Sequence, residues 1–141
     1  MRSRMLTVLL CGLSATATAT AAAMKPAEIV GPVAVEALRG KVILLAGATG
    51  NNGRVVLRRL GELGLNVRAM SRDTEAARQE FGKQYQWVQA DVTSPDTLVR
   101  AMAGVDVVIS AVATAIPVGG NRPEKVDYEG TINLARAAKS A

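Results

Sequence analysis

Residues 41–54 constrain the fold of this chain more than any other segment, because an apolar run there leads directly into evenly spaced glycines. The segment reads K-V-I-L-L-A-G-A-T-G-N-N-G-R, and Gly47, Gly50 and Gly53 recur at every third position. An uninterrupted apolar run is typical of a parallel strand covered on both faces, and the glycines predict a tight turn into a helix. Such a turn lets the amides of a helix N-terminus approach a pyrophosphate closely. The segment therefore predicts a dinucleotide site.

The rest of the chain repeats this pattern of a short apolar run followed by a helical pattern. We expect strands at 42–46, 65–70, 85–89 and 105–110, and helices at about 52–63, 74–81, 95–102 and 123–139. Alternation of this kind predicts right-handed βαβ crossovers and an α/β fold, a doubly wound parallel sheet with strand order 3-2-1-4. In such a sheet the ligand lies at the carboxyl ends of the strands, between strands one and four.

Composition narrows the class of protein and the chemistry. A chain of 141 residues with 49% apolar and 21% charged residues is long enough for one globular domain with a real core. The net charge of +5 is spread without a basic run, so the sequence predicts no nucleic-acid partner. With one cysteine and no histidine, it also predicts no intramolecular disulfide, no metal site and no histidine general base.

The first 23 residues resemble a targeting segment and not part of the fold. Arg2 and Arg4 precede the apolar run 5–13, which is too short for a stable membrane span, and small residues follow up to Ala23. This order fits a signal peptide for export to the periplasm or the exterior, and equally an organelle transit peptide. A third alternative is a true start at Met24 and a cytoplasmic protein. Residues 24–40 are predicted as a linker with an apolar segment at 33–38, which leaves 41–141 as the domain.

The glycine turn supplies the first part of the predicted cofactor site. Gly47 permits the tight turn, Gly50 the approach to phosphate and Gly53 the close crossing of helix on strand. Thr49 and Asn51 add side-chain hydrogen-bond donors to the turn or the phosphates. The alternative is a glycine turn that binds no ligand.

The end of the second predicted strand decides which dinucleotide is preferred. A carboxylate there usually holds the free 2′-hydroxyl of NAD, whereas this chain has Ser71 followed by Arg72. A hydroxyl and a guanidinium suit a 2′-phosphate, so the sequence predicts NADP(H) in preference to NAD(H). Asp73 either pairs with Arg72 or caps the next helix, and we favour the cap. The alternative for Arg72 is a solvated surface charge.

The ends of the third and fourth predicted strands complete the site. Asp91 either accepts a hydrogen bond from the adenine amino group or caps its own loop, while Val92 is expected to pack on the adenine ring. Small residues after the fourth strand let the nicotinamide side lie against the backbone. The predicted cofactor-binding set is therefore Gly47, Thr49, Gly50, Asn51, Asn52, Gly53, Ser71, Arg72, Asp91, Val92, Ala111 and Val112.

Several motifs in order resemble the atypical and extended short-chain dehydrogenase/reductase superfamily, in its NAD(P)H-binding or NmrA-like branch. They are G-A-T-G-N-N-G at 47–53, V-R-A-M-S-R-D at 67–73, A-D-V at 90–92 and V-D-Y-E-G-T-I-N-L-A-R-A-A-K at 126–139. The resemblance covers the chain from about residue 41 onward. It implies a Rossmann fold and NADP(H) binding at the positions already named. It also implies that Tyr128 and Asn133 are structural or cofactor-side residues.

The chain departs from that superfamily at the catalytic pair. Catalytic members use Tyr-x-x-x-Lys, in which the lysine lowers the pKa of the phenol, but Tyr128 is followed four residues on by Ile132, and Tyr85 by Gln89. The sequence therefore predicts no catalytic residue.

The sequence also ends before a fifth strand, so the sheet is expected to be incomplete at the C-terminal side. The open edge of the fourth strand would then be covered by a missing C-terminal segment or by a protein partner. We expect a fragment of an oxidoreductase; the alternatives are a non-catalytic NADPH-sensing or assembly module, and a nonfunctional remnant.

Overall fold

The computed structural model describes residues 6–9, 32–114 and 122–141. Four of its strands, and the helices that follow them, occupy the regions expected from the sequence. The predicted loop with Pro117, Gly119 and Gly120 lies largely outside the described residues. The elements are β1 Leu6–Leu9, α1 Pro32–Leu38, β2 Val42–Ala46, α2 Asn51–Glu62, β3 Asn66–Ser71, α3 Thr74–Phe81, β4 Gln86–Gln89, α4 Pro95–Ala101, β5 Val107–Ser110, a π-helical segment Glu124–Glu129 and α5 Gly130–Ser140.

All strands pair in parallel in one sheet of order β1-β5-β2-β3-β4. The central strand β2 pairs on one side with β3, where Leu44 lies opposite Arg68, and on the other with β5, where Leu44 lies opposite Val108. Apart from β1, this is the predicted order 3-2-1-4. The α/β doubly wound, Rossmann-like prediction is therefore confirmed, and the switch point lies between β2 and β5.

The outer edge of β5 is occupied by β1, contrary to the open edge expected there. Leu6 to Leu9 lie opposite Val107 to Ser110 in a continuous parallel register. An unpaired strand edge presents free N–H and C=O groups, and an apolar run with β-forming residues can pair with them. The run that supplies this strand belongs to the segment predicted to be a leader.

Helices cover both faces of the sheet, as the apolar character of β2 requires. Ile43 and Leu45 point to the face covered by α1, α2 and α3, where Leu57 is a central contact. Leu44 and Ala46 point to the opposite face, which is covered by α4 and α5. Alternation along a strand thus divides the core into two layers on either side of the sheet.

Part of the predicted linker is helical. The segment Pro32–Leu38 forms α1, and Val35 is buried at 8% exposure against the same core layer as Ile43. Within the predicted linker, this apolar segment is helical, and Val35 and Leu38 pack on the domain. Pro32 opens the helix at a position where no amide hydrogen bond is lost.

Local signals set most helix ends where the sequence placed them. Asp73 caps α3 by accepting hydrogen bonds from the amides of Glu75 and Ala76, and Gly82 ends it at φ 96°. Ser94 is the N-cap residue of α4 with Pro95 following, but its side chain makes no capping bond. The last predicted helix begins as a π-helical segment and becomes α-helical only at Gly130.

Candidate functional site

A cavity of about 470 Å³ opens at the carboxyl ends of the strands, where the switch point predicted it. The glycine turn forms one wall, and the segments that follow β3, β4 and β5 form the others. The lining residues are Gly47, Thr49, Gly50, Met70, Ser71, Arg72, Ala90, Asp91, Val92, Thr93, Ala111, Val112, Ala113, Thr114 and Val126.

The turn between β2 and α2 leaves no space for side chains at two of its glycines. Gly47 has φ 75°, and a Cβ there would lie 2.8 Å from the carbonyl carbon and oxygen of Ala111. A Cβ on Gly53 would lie 1.9 Å from the carbonyl oxygen of Gly47. The turn, the helix and the end of β5 therefore meet backbone to backbone, which is the close approach expected of these positions.

The N-terminus of α2 opens on this turn without a side-chain cap. Gly50 is the N-cap residue at φ −72° and ψ 168°, and no side chain bonds to the first helical amides. Its own amide donates to the carbonyl oxygen of Gly47 at 3.1 Å, and its carbonyl accepts from Arg54 at 2.9 Å. Uncapped amides and the positive end of a helix dipole suit an anion such as a pyrophosphate.

The end of β3 carries Ser71 and Arg72 into the cavity wall. Ser71 is 8% exposed, and its hydroxyl donates to the carbonyl oxygen of Asp73 at 2.8 Å and accepts from the Asp73 amide at 3.2 Å. The structure thus gives this hydroxyl a backbone partner, whereas the sequence suggested a phosphate donor. The carboxylate of Asp73 caps α3, so the favoured alternative for that residue is confirmed.

The loop after β4 is shaped by Asp91. Its Oδ1 accepts hydrogen bonds from both the amide and the hydroxyl of Thr93, each at 2.8 Å. This is the loop-capping role, one of the two alternatives that the sequence left open for Asp91. Val92, which is 6% exposed, lines the cavity next to it.

The wall after β5 is built from small side chains and one polar one. The amide of Ala111 continues the sheet by donating to the carbonyl oxygen of Ala46 at 2.9 Å. Thr114 donates through its amide, at 2.7 Å, and its hydroxyl, at 2.9 Å, to Oδ1 of Asp127 in the π-helical segment. Val126, from the same segment, lines the cavity.

The structure brings most of the predicted site residues to one cavity but leaves three outside its lining. Asn51 and Asn52 are exposed in the first turn of α2, and Gly53 is buried beneath the glycine turn. Sequence reasoning named neither Thr114 nor Val126 as a site residue. Thr114 reaches the cavity wall through its contact with a distant element, whereas Val126 opens the motif 126–139 that carries part of the family resemblance.

Tyr128 and Asn133, which the family resemblance implies are structural or cofactor-side residues, lie in the π-helical segment and in α5, respectively. Asn133 donates through Nδ2 to the carbonyl oxygen of Val92 at 3.0 Å, which is a structural tie between α5 and the β4 loop. Tyr128 is 69% exposed. The other tyrosine, Tyr85, packs edge-on against Trp87 with ring centroids 6.2 Å apart.

Metal-ligating side chains do not cluster in groups of three or more anywhere within residues 6–9, 32–114 and 122–141. In the same described part of the chain, no helix is both long and apolar enough to cross a membrane.

Comparison with known proteins agrees with this geometry. The model of a family described as NAD(P)H-binding matches residues 47–141. The photosystem II assembly factor Ycf39 of Guillardia theta is 35% identical over 101 residues, which cover 70% of this chain and 31% of that protein. The chloroplastic divinyl chlorophyllide a 8-vinyl-reductase of Arabidopsis thaliana is 36% identical over 110 residues, covering 69% of this chain and 26% of that protein.

A solved structure shows the same fold. The crystal structure of a short-chain dehydrogenase/reductase superfamily protein from Agrobacterium tumefaciens with bound NAD superposes with a TM-score of 0.56 at 27% identity, covering 71% of this chain and 29% of that one. The chain thus spans about a third or less of the length of the proteins it matches. Fold, glycine turn and family match agree, and the chain belongs to the NAD(P)H-binding family within the short-chain dehydrogenase/reductase superfamily.

Proposed function

We propose that this chain binds NADP(H) in the cavity at the switch point and forms the nucleotide-binding part of an oxidoreductase. The family match supports dinucleotide binding without distinguishing NADP from NAD. A reductase among the relatives supports the reaction class. NADPH supplies a hydride to a substrate, and the residues that line the cavity would hold and orient the cofactor.

The observation that carries the preference for NADP(H) is the chemistry at the end of β3. Ser71 and Arg72 line the cavity where an NAD-binding protein usually places a carboxylate. The nearest carboxylate in sequence, Asp73, holds the first amides of α3 at 3.1 and 3.0 Å. A guanidinium at this position suits a dianionic 2′-phosphate, which a carboxylate would repel.

The remaining walls fit the other parts of the cofactor. The uncapped N-terminus of α2 would receive the pyrophosphate, and Val92 would pack against the adenine ring. The small residues Ala111 and Val112 would let the nicotinamide half lie close to the end of β5. Each residue would act by binding and orienting the cofactor.

Calorimetric titration with NADPH and NADH tests this proposal directly. Arg72→Ala should weaken NADPH binding by about tenfold or more, as loss of a charge-assisted bond does, and leave NADH binding nearly unchanged. Arg100→Ala is the matched control, because Arg100 is exposed in the last turn of α4, away from the cavity. Equal losses for the two cofactors in Arg72→Ala would refute the phosphate role.

A second candidate function is NADPH sensing without turnover, in an assembly or binding protein. The photosystem II assembly factor among the relatives favours it, as does the lack of a lysine four residues after either tyrosine. The test adds aldehydes and ketones to the NADPH complex and follows NADPH absorbance. Tight binding without oxidation supports the second candidate, whereas turnover supports the first.

We also propose that the first 23 residues are a targeting segment that directs the protein to an organelle or to export. The apolar run after Arg2 and Arg4 supports this role. Three relatives from Arabidopsis thaliana, one of them the reductase, have names that include the word chloroplastic. A fusion of residues 1–24 to a fluorescent reporter would locate the destination. A reporter that stays in the cytoplasm would refute this targeting role.

A further inference from the structure

Asp127, in the π-helical segment, forms hydrogen bonds to the cavity wall that follows β5. Its Oδ1 accepts two hydrogen bonds from Thr114, one from the amide at 2.7 Å and one from the hydroxyl at 2.9 Å. The two residues are 13 positions apart, so this contact is not part of a local turn. Thr114 itself lines the cavity. The carboxylate therefore fixes both the backbone and the side-chain rotamer of a wall residue.

The helix α5 directly follows the π-helical segment that carries Asp127, and it packs against the opposite wall of the cavity. A Cβ on Gly130 would lie 2.7 Å from Cγ2 of Val92, so the helix packs there without a gap. Asn133 donates to the carbonyl oxygen of Val92 at 3.0 Å. The helix α5 therefore contacts the β4 side of the cavity, and Asp127 adds a contact to the β5 side.

The sheet order assigns the two sides to different halves of the cofactor. Arg72 follows β3 and Val92 follows β4, so the adenosine half belongs on that side of β2. Thr114 follows β5, on the other side of β2. The wall that Asp127 fixes is therefore the one next to the nicotinamide half.

We propose that Asp127 is a positioning residue that holds the segment 111–114 in the conformation that receives the nicotinamide half of the dinucleotide. This inference rests on the proposed cofactor. Loss of the carboxylate leaves the Thr114 amide without its acceptor and releases the hydroxyl, so the wall is no longer fixed before the ligand arrives. The adenosine half does not meet this wall.

The experiment separates the two halves by using two ligands. NADPH contains both halves, whereas adenosine 2′,5′-bisphosphate lacks the nicotinamide half. Asp127→Ala should weaken NADPH binding by about tenfold, the usual effect of losing charged hydrogen bonds. It should change the affinity for adenosine 2′,5′-bisphosphate by no more than about twofold. Asp127→Asn keeps one acceptor oxygen and should restore most of the NADPH affinity.

Two further variants separate positioning from general destabilisation. Asp106→Asn alters a carboxylate that accepts from the Val42 amide at 2.9 Å near the amino-terminal ends of the strands, away from the cavity. It should lower thermal stability without changing the ratio of the two affinities. Thr114→Val removes only the hydroxyl donor and should weaken NADPH binding by about threefold. Combined with Asp127→Ala, it should cause no loss of NADPH affinity beyond that of Asp127→Ala alone.

Binding of the two ligands tests the positioning role of Asp127 separately from the proposed cofactor. If the parent protein binds NADPH and Asp127→Ala weakens both ligands equally, or neither, the positioning role is wrong. If the parent binds neither ligand, the proposed cofactor is wrong and this role falls with it. If Asp127→Ala fails to fold, the same comparison with Thr114→Val decides: a loss confined to NADPH supports the role, and equal or absent losses refute it.

Discussion

Replacing Gly53 by alanine puts a methyl group into the centre of the glycine turn. The new Cβ would lie 1.9 Å from the carbonyl oxygen of Gly47, 2.7 Å from its carbonyl carbon and 3.0 Å from Cα of Ala48. All three are backbone atoms, so no side-chain rotation relieves the overlap. The helix and the strand must separate, which disturbs the bond from the Gly50 amide to the Gly47 oxygen.

The cost follows from opposing contributions. Overpacking against backbone costs about 3 kcal/mol, at the upper end of the usual range, and the disturbed hydrogen bond adds about 1 kcal/mol. Alanine favours a helix over glycine by about 1 kcal/mol, which offsets part of this loss. We therefore expect the free energy of unfolding to fall by about 3 kcal/mol and the melting temperature by about 10 °C.

Urea denaturation followed by tryptophan fluorescence measures this loss. Trp87 is the only tryptophan of the chain and is 7% exposed in the core layer below α2 and α3. The matched control is Gly61→Ala in the same helix, where the new Cβ would meet the ring of Tyr85 at 3.1 Å. A side-chain ring can move, so the control should stay within about 1 kcal/mol of the parent protein. Equal stabilities of the two variants would refute the reasoning.

Two further substitutions test other parts of the structure by the same denaturation assay. Asp73→Ala removes the cap that holds the Glu75 and Ala76 amides and should cost about 1 kcal/mol, whereas Asp73→Asn should cost much less; equal losses would argue against capping. Leu98→Ala empties a fully buried position between α4 and the sheet and should cost about 2–5 kcal/mol, while Val99→Ala, at 65% exposure, should change stability little. Similar losses for the two variants would contradict the assigned core.

The sequence predicted elements whose signals are local. The apolar run of β2, the capping residue Asp73 and the glycine at the end of α3 each act within a few positions, so their structural consequences are readable from neighbours. The spacing of the glycines likewise located the turn between β2 and α2. The cavity followed from these, because parallel strands present their carboxyl ends at one edge of the sheet.

Features that depend on distant residues escaped prediction. Nothing near residues 6–9 indicates that they meet β5, since pairing at an edge depends on what else competes for that edge. The apolar pattern of a leader and that of a short strand are also alike at this length. The contact from Thr114 to Asp127 was missed for the same reason: a hydroxyl and a carboxylate 13 residues apart carry no spacing signal.

The carboxylates around the cavity share one arrangement that bears on its ligand. Asp73, Asp91 and Asp127 each accept a hydrogen bond from a backbone amide, which lies in the first turn of α3 for Asp73, in the loop after β4 for Asp91 and in the segment after β5 for Asp127. A hydrogen bond from an amide partly offsets the negative potential that a carboxylate projects. Acidic residues at this edge therefore shape the loops, while the uncapped amides of α2 and the guanidinium of Arg72 are the groups that suit an anion. A cavity edge built this way is compatible with the proposed dinucleotide, which carries three phosphate groups, even though aspartates follow β3 and β4.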